Sequence, residues 1–554
     1  MIKIPTTFYL ALLALMILAA TLITGCRPAS PPDNGALIYE GFGNYERSIS
    51  TEVDSSQQWF NQGLQLMYGF NHDEAIRSFE QAASADPSAA MPWWGIAYCN
   101  GININDPEMT DERSKNAWDA VQKALAKVES AEPVEAALIR AVAKRYAWPI
   151  PEDRGPLDKE YADAMQAVFE EFPSDPDVAA LFAESLMNLQ PWDYWTDSGK
   201  AKGRAEEFVG ILEKTLVAHP LHPGANHFLI HAIEASSNPD RAVASADRLV
   251  SLVPGSGHLV HMPSHIYIRV GRYDDAAKSN IEAIAVDRAY FEKAPTQGLY
   301  TMYYGHNLHF LSYASMMSGK FQQAILAARD LEADMPEAPL RAHADLIEGI
   351  MPATFHVLIR FGKWEQILEE DEYPEWRLVS RAVRRYARSI SYSALGRTKE
   401  ARTELEAFEK AIVLIPEDWL IFNNPVNKVL PIARAMINGE LLFREGKVDE
   451  AFTILRQGIE AEDALVYDEP PAWMLPVRHA LGALMMADGR HKEAEAIYRE
   501  DLRRNRDNGW SLTGLKLALE KQGLSEEAEK LSDRLKRAFK AADTHPTSSC
   551  FCEP

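Results

Sequence analysis

Nine of the fifteen histidines in this chain of 554 residues lie between His219 and His309. Seven of them form three short groups: His227 with His231, His258 with His261 and His265, and His306 with His309. Residues three or four apart on a helix share one face, with Cβ atoms about 5–6 Å apart. Each group thus offers imidazoles to one side of its helix. Clustered neutral imidazoles with one or two carboxylates are what a zinc, copper(II), iron or nickel site requires. Zinc or copper is expected ahead of iron or nickel. Glu234 stands on the same face as His227 and His231. The His227-Phe-Leu-Ile-His231 run departs from the zinc-protease pattern, which has a glutamate next to its first histidine. No glycine-rich phosphate loop, nucleophile elbow or nucleotide fingerprint occurs, so no nucleotide cofactor is expected.

Bringing such groups together needs a repeating scaffold. If a 34-residue repeat starts at Ser56, then Trp59, Gly63, Ala75, Phe79, Ala82 and Pro87 stand at its positions 4, 8, 20, 24, 27 and 32. This pattern resembles the tetratricopeptide repeat (TPR) family. Small residues at 8 and 20 let two helices approach, large ones at 4 and 24 fill the space, and proline ends the second helix. A turn glycine followed by an apolar residue and alanine recurs at Gly271 with Ala276, Gly319 with Ala324, Gly446 with Ala451 and Gly489 with Ala494. Weaker copies stand at Gly362 and at Gly396 with Ala401. The resemblance implies an all-α, right-handed superhelical solenoid of about eleven or twelve helical hairpins over residues 56–540.

In TPR proteins positions 2, 5, 9, 12 and 13 of the first helix line the concave groove. On that frame His227 and His231 take positions 5 and 9 of one repeat, and His261 and His265 the same positions of the next. His258 and His306 take position 2, His309 position 5 and Tyr313 position 9 of their repeats. Glu234 falls at position 12, Glu184 at position 9 of the preceding repeat, and His356 at position 9 of a later one. First helices of adjacent repeats pack about 8–10 Å apart. The frame therefore implies a histidine-lined groove over 176–313 that grips a single metal ion. Tyr313, His356 and Trp94 stand at its margin, and Glu234 or Glu184 is a possible catalytic base. A carboxylate could equally fix a histidine tautomer. Gln190 to Trp195 reads either as an aromatic lip or as interhelical packing. The segments GANHFLIHAIEAS, GSGHLVHMPSHIYIRVGRY and HNLHFL also resemble a widespread bacterial group of TPR proteins with these histidine motifs. That resemblance supplies no activity. The competing reading is a metal-free scaffold that binds an envelope protein or peptide in the concave groove.

Residues 1–25 read as a lipoprotein signal, with Lys3, an apolar run from Phe8 to Ile23 and the ending Ile23-Thr24-Gly25-Cys26. Cys26 is then the lipidated residue. A lipid anchor is the only expected membrane contact, and the bacterial envelope the expected location, with the outer-membrane or periplasmic side favoured by Arg27. Residues 26–55, rich in Pro, Gly, Ser and Asn, read as a flexible tether. Residues 541–554 read as a structureless tail, with Cys550-Phe551-Cys552 as a thiol metal donor or a redox pair the alternatives. The net charge of -23 argues against nucleic acid as a partner.

Overall fold

The structure is a computed structural model that describes residues 36–196, 198–294 and 300–552. Among them the regular structure from Asp54 to Ala538 is helical, apart from one short antiparallel ladder, Leu420–Ile421 with Asn424–Pro425, and two isolated bridges. Successive helices form hairpins. Examples are Asp54–Tyr68 with His72–Ala85, Pro223–Ile233 with Val243–Leu252, and Val426–Arg444 with Val448–Asp463. The chain is all-α with TPR-type hairpins. The turn glycines Gly271, Gly319, Gly362, Gly396, Gly446 and Gly489 all have φ between 61° and 80°, a conformation that ends one helix and turns into the next.

The described residues fall into two compact units, one of 36–266 with 282–300, the other of 267–281 with 301–552. His227, His231, His258, His261 and His265 belong to the first unit. His306, His309, Tyr313 and His356 belong to the second.

One packing device recurs in both units. A Cβ on Gly63 would lie 2.6 Å from the Phe79 ring, and one on Gly95 would lie 2.7 Å from it. Phe79 is fully buried between two backbones that only glycine lets come so close. In the second unit Tyr498 sits in the same way against Gly482 and Gly514, at 2.4 and 2.2 Å. Both triplets have their members sixteen residues apart (63, 79, 95 and 482, 498, 514). Gly95→Ala should overfill this contact and destabilise the protein by about 1–3 kcal/mol, read as a lower urea midpoint.

Two expectations need correction. The tether reading of 26–55 fails for its described part, which is tied to the first unit. Gln62 donates to Leu37 O at 2.9 Å and accepts from Tyr39 N at 2.8 Å, and Arg47 reaches Asp175 and Asp177 at 3.0 and 2.7 Å. Composition suggested slack chain, but the long-range hydrogen bonds override it. The tail is also held. Asp543 accepts the Phe321 and Gln322 backbone N–H groups at 2.7 and 2.9 Å, at the start of the helix Phe321–Asp334. Ser549 Oγ donates to His479 O at 2.7 Å, and Cys550 is paired with Cys552 in a disulfide. The signal segment and Cys26 lie outside the described residues. Among the described residues no helix is long and apolar enough to cross a membrane.

Candidate metal centre

The helix Pro223–Ile233 carries His227 and His231 one turn apart, and Glu234 caps its C-terminus. His222 sits at its N-cap, where its Nδ1 accepts the Ala225 N–H at 3.0 Å. The next histidines lie on a helix that Pro263 interrupts. Gly257–His261 ends at the break, and Pro263–Arg269 begins after it. His258 and His261 stand before the break and His265 after it.

One ring nitrogen each of His227, His231 and His258 lies within 4.8 Å of the others. The tautomers follow from the partners. A carbonyl can only accept, so His227 donates its Nδ1–H to Tyr68 O at 2.7 Å and keeps a lone pair on Nε2. That Nε2 lies 3.2 Å from His258 Nε2. His231 donates Nδ1–H to Glu234 Oε1 at 2.8 Å, and its buried Nε2 has no hydrogen-bond partner. Glu234 Oε2 lies 2.6 Å from His265 Nδ1, and His265 Nε2 lies 2.9 Å from His261 Nε2. One carboxylate thus holds two imidazoles.

Burial sets the electrostatics. All five rings are at most 5 % exposed. Burial, reinforced by the neighbouring His231, drives His227 well below the usual histidine range, and burial with His227 and His231 does the same to His258. Burial also lowers His231, against the pull of Glu234. His227, His231 and His258 are therefore neutral at neutral pH, the state in which an imidazole ligates a metal. Burial alone would raise the Glu234 carboxyl, but His265 and the hydrogen bonds from His231 and His265 outweigh it and hold the group below its ordinary value.

These facts correct the expected open groove. A groove is concave and faces solvent, yet the rings are enclosed. The helix Asp54–Tyr68 comes back to the helix Pro223–Ile233, so the superhelical turn of this unit closes on its own interior. Phe70 lies 4.6 Å from the His227 ring and stacks on His258 and His231 at 5.7 and 6.0 Å. Trp192 meets His231 edge-on at 5.2 Å and donates its Nε1–H to Ile104 O at 2.8 Å. Both aromatics have positive φ, 54° and 63°. Such backbone costs roughly 1–3 kcal/mol and persists only where the surroundings fix it. Phe422, at φ 51° in the second unit, likewise lies 5.8 and 5.5 Å from the rings of His306 and His309. Three of the four non-glycine left-handed residues among the described residues are therefore aromatics against predicted site histidines.

The other candidates have their own surroundings. Glu184 is buried in the first unit, where Asn188 donates to its Oε1, and burial raises its carboxyl. Trp192, not Glu184, lies against His231. Glu234 has both oxygens engaged by imidazoles, which suits holding the rings rather than taking a proton from a substrate. Trp94 is 1 % exposed and packs on Tyr98 at 5.6 Å, so it is core and not groove margin. In the second unit His309 is pushed down to about 3 by burial and by His356. His356, lowered to about 4 by burial and by Arg360, lies edge-on to Trp473 at 5.1 Å. Tyr313 is buried in the same unit, where burial and Asp501 push its hydroxyl up.

The sequence reading missed a second polar cluster beside the histidines. Asp177 accepts from Tyr68 OH at 2.6 Å and Tyr45 OH at 2.9 Å, pairs with Arg47 at 2.7 Å, and lies 3.3 Å from His222 Nε2. Only the N-cap role of His222, directly before Pro223, could have been read in advance. Tyr45 and Arg47 lie more than a hundred residues from Asp177, and no local pattern marks them.

No family model and no curated protein sequence matches this chain. Among solved structures it is similar to the human IFIT1 dimer with m7Gppp-AAAA, at 14% identity and a TM-score of 0.30, covering 88% of this chain and 91% of that one. It is also similar to Cut9 in the APC/C hetero-tetramer Cut9-Hcn1, at 13% identity and a TM-score of 0.28, covering 88% and 78%. The P58(IPK) TPR domain matches at 12% identity and a TM-score of 0.21, covering 85% and 99%. At such TM-scores these likenesses carry no argument about function, and the site's own geometry has to carry it.

Proposed function

We propose that this chain is an envelope lipoprotein, anchored through Cys26, whose first unit binds a transition-metal ion at His227, His231 and His258. The observation that carries the reading is the buried His231 Nε2. It is a lone pair without a hydrogen-bond partner, in a group of three imidazoles whose ring nitrogens lie within 4.8 Å of one another. An unsatisfied buried polar atom costs about 1–3 kcal/mol, and a bound ion removes that cost. Zinc–nitrogen bonds of about 2.0–2.1 Å place two tetrahedral ligands roughly 3.3 Å apart, near the 3.2 Å between His227 and His258 Nε2. An all-nitrogen, neutral donor set suits zinc or copper ahead of iron or nickel. The Tyr68 carbonyl and the Glu234 carboxylate fix the tautomers of His227 and His231, so their Nε2 atoms point their lone pairs at the ion. Enclosure by Phe70 and Trp192 favours tight retention over open catalysis.

Elemental analysis of the purified chain tests the reading. At least one equivalent of zinc or copper per chain is expected. His227→Ala/His258→Ala should lose it while the circular dichroism stays helical. Absence of metal from the wild type, or metal unchanged in that variant, would leave a metal-free scaffold for an envelope protein or peptide.

A further inference from the structure

We propose that the first unit holds two metal ions, the second at His261 and His265, a proposal that rests on His227, His231 and His258 binding the first. Two imidazole pairs in this unit are built to one plan. In the first pair His227 is fixed through Nδ1 on a carbonyl, and its Nε2 lies 3.2 Å from His258 Nε2. In the second pair His265 is fixed through Nδ1 on Glu234 Oε2 at 2.6 Å, and its Nε2 lies 2.9 Å from His261 Nε2. His261 and His265 are 0 % and 5 % exposed, so the contact is not a chance surface meeting.

Two facing Nε2 lone pairs repel, so without an ion one ring of each pair must carry its proton there. An ion takes that proton's place, and the proton passes to the ring's Nδ1 or to solvent. The 3.2 Å of the first pair is near the roughly 3.3 Å that two tetrahedral ligands of one ion keep, and the 2.9 Å of the second, an N–H···N hydrogen bond without an ion, needs only to widen by about 0.4 Å. Glu234 links the two sets. Its Oε1 holds His231 and its Oε2 holds His265, so a single carboxylate orients one ring in each set and adds a negative charge between them. Two cations in one buried region repel, so the second binds more weakly than the first.

The full chain, stripped with a chelator, is dialysed against rising Zn(II) and its metal content measured. Two equivalents are expected, the second at least about tenfold weaker. His261→Ala/His265→Ala should saturate at one and keep the tighter of the two. Wild type saturating at one equivalent overturns the second position and leaves the first standing. Two equivalents retained in His261→Ala/His265→Ala also overturns it, because the extra ion then sits on acidic surface. No uptake by the wild type sinks both readings. The wild-type stoichiometry needs no variant to fold, and His265→Gln offers a milder change if the double variant does not.

Discussion

Glu234→Gln should weaken zinc binding by about 10–100-fold, the usual cost of losing a group that orients metal-bound histidines. The carboxylate accepts from His231 on one oxygen and meets His265 Nδ1 with the other. An amide keeps one acceptor and turns an N–H₂ group to the other ring. That ring must rotate or move its proton to Nε2, which removes the lone pair a metal needs. The metal-free variant should also be less stable by about 1–3 kcal/mol, since a buried donor is left facing a donor. Competition against a chromogenic chelator reads the affinity, and urea unfolding reads the stability. Unchanged affinity would mean that the carboxylate supports the fold alone.

Asp177→Asn should destabilise the protein by about 1–3 kcal/mol at neutral pH, because it leaves the buried Arg47 with Asp175 alone, at 3.0 Å, and takes the charge from the acceptor of two buried hydroxyls. Arg47 is 9 % exposed, and Asp177 also takes the hydroxyls of Tyr45 and Tyr68. Burial alone would raise the Asp177 carboxyl. His222, Arg47 and Tyr68 win, and the group lies below the ordinary value of 3.8. The sign follows directly. A carboxyl lowered by folding contributes stability that is fully present above its unfolded value and lost as pH falls toward its folded one. The gap between wild type and Asp177→Asn should therefore be constant above about pH 5 and shrink below the ordinary carboxylate range. A gap that stays constant down to acid pH would show that the pair contributes only packing. The same substitution should loosen the segment around Tyr45 and Arg47, seen as faster amide exchange there.

Much of this protein was legible in its residues. The sixteen-residue step from Gly63 to Phe79 and the turn glycines from Gly271 to Gly489 dictate helical hairpins, because close helix approach and a left-handed turn both demand small residues at fixed intervals. The i, i+4 spacing of His227 with His231 by itself puts two imidazoles on one helix face. Local periodicity carries that much because it is set by the geometry of a single helix. The enclosure was decided elsewhere. Whether a repeat's inner face is open or closed depends on how tightly successive hairpins coil, a sum of small rotations that no single repeat encodes. Here the coil brings Tyr68 and Phe70 onto His227, turning an expected groove into a buried interior. Arg47 and Tyr45 reach Asp177 across more than a hundred residues, so their part too existed only once the chain had folded.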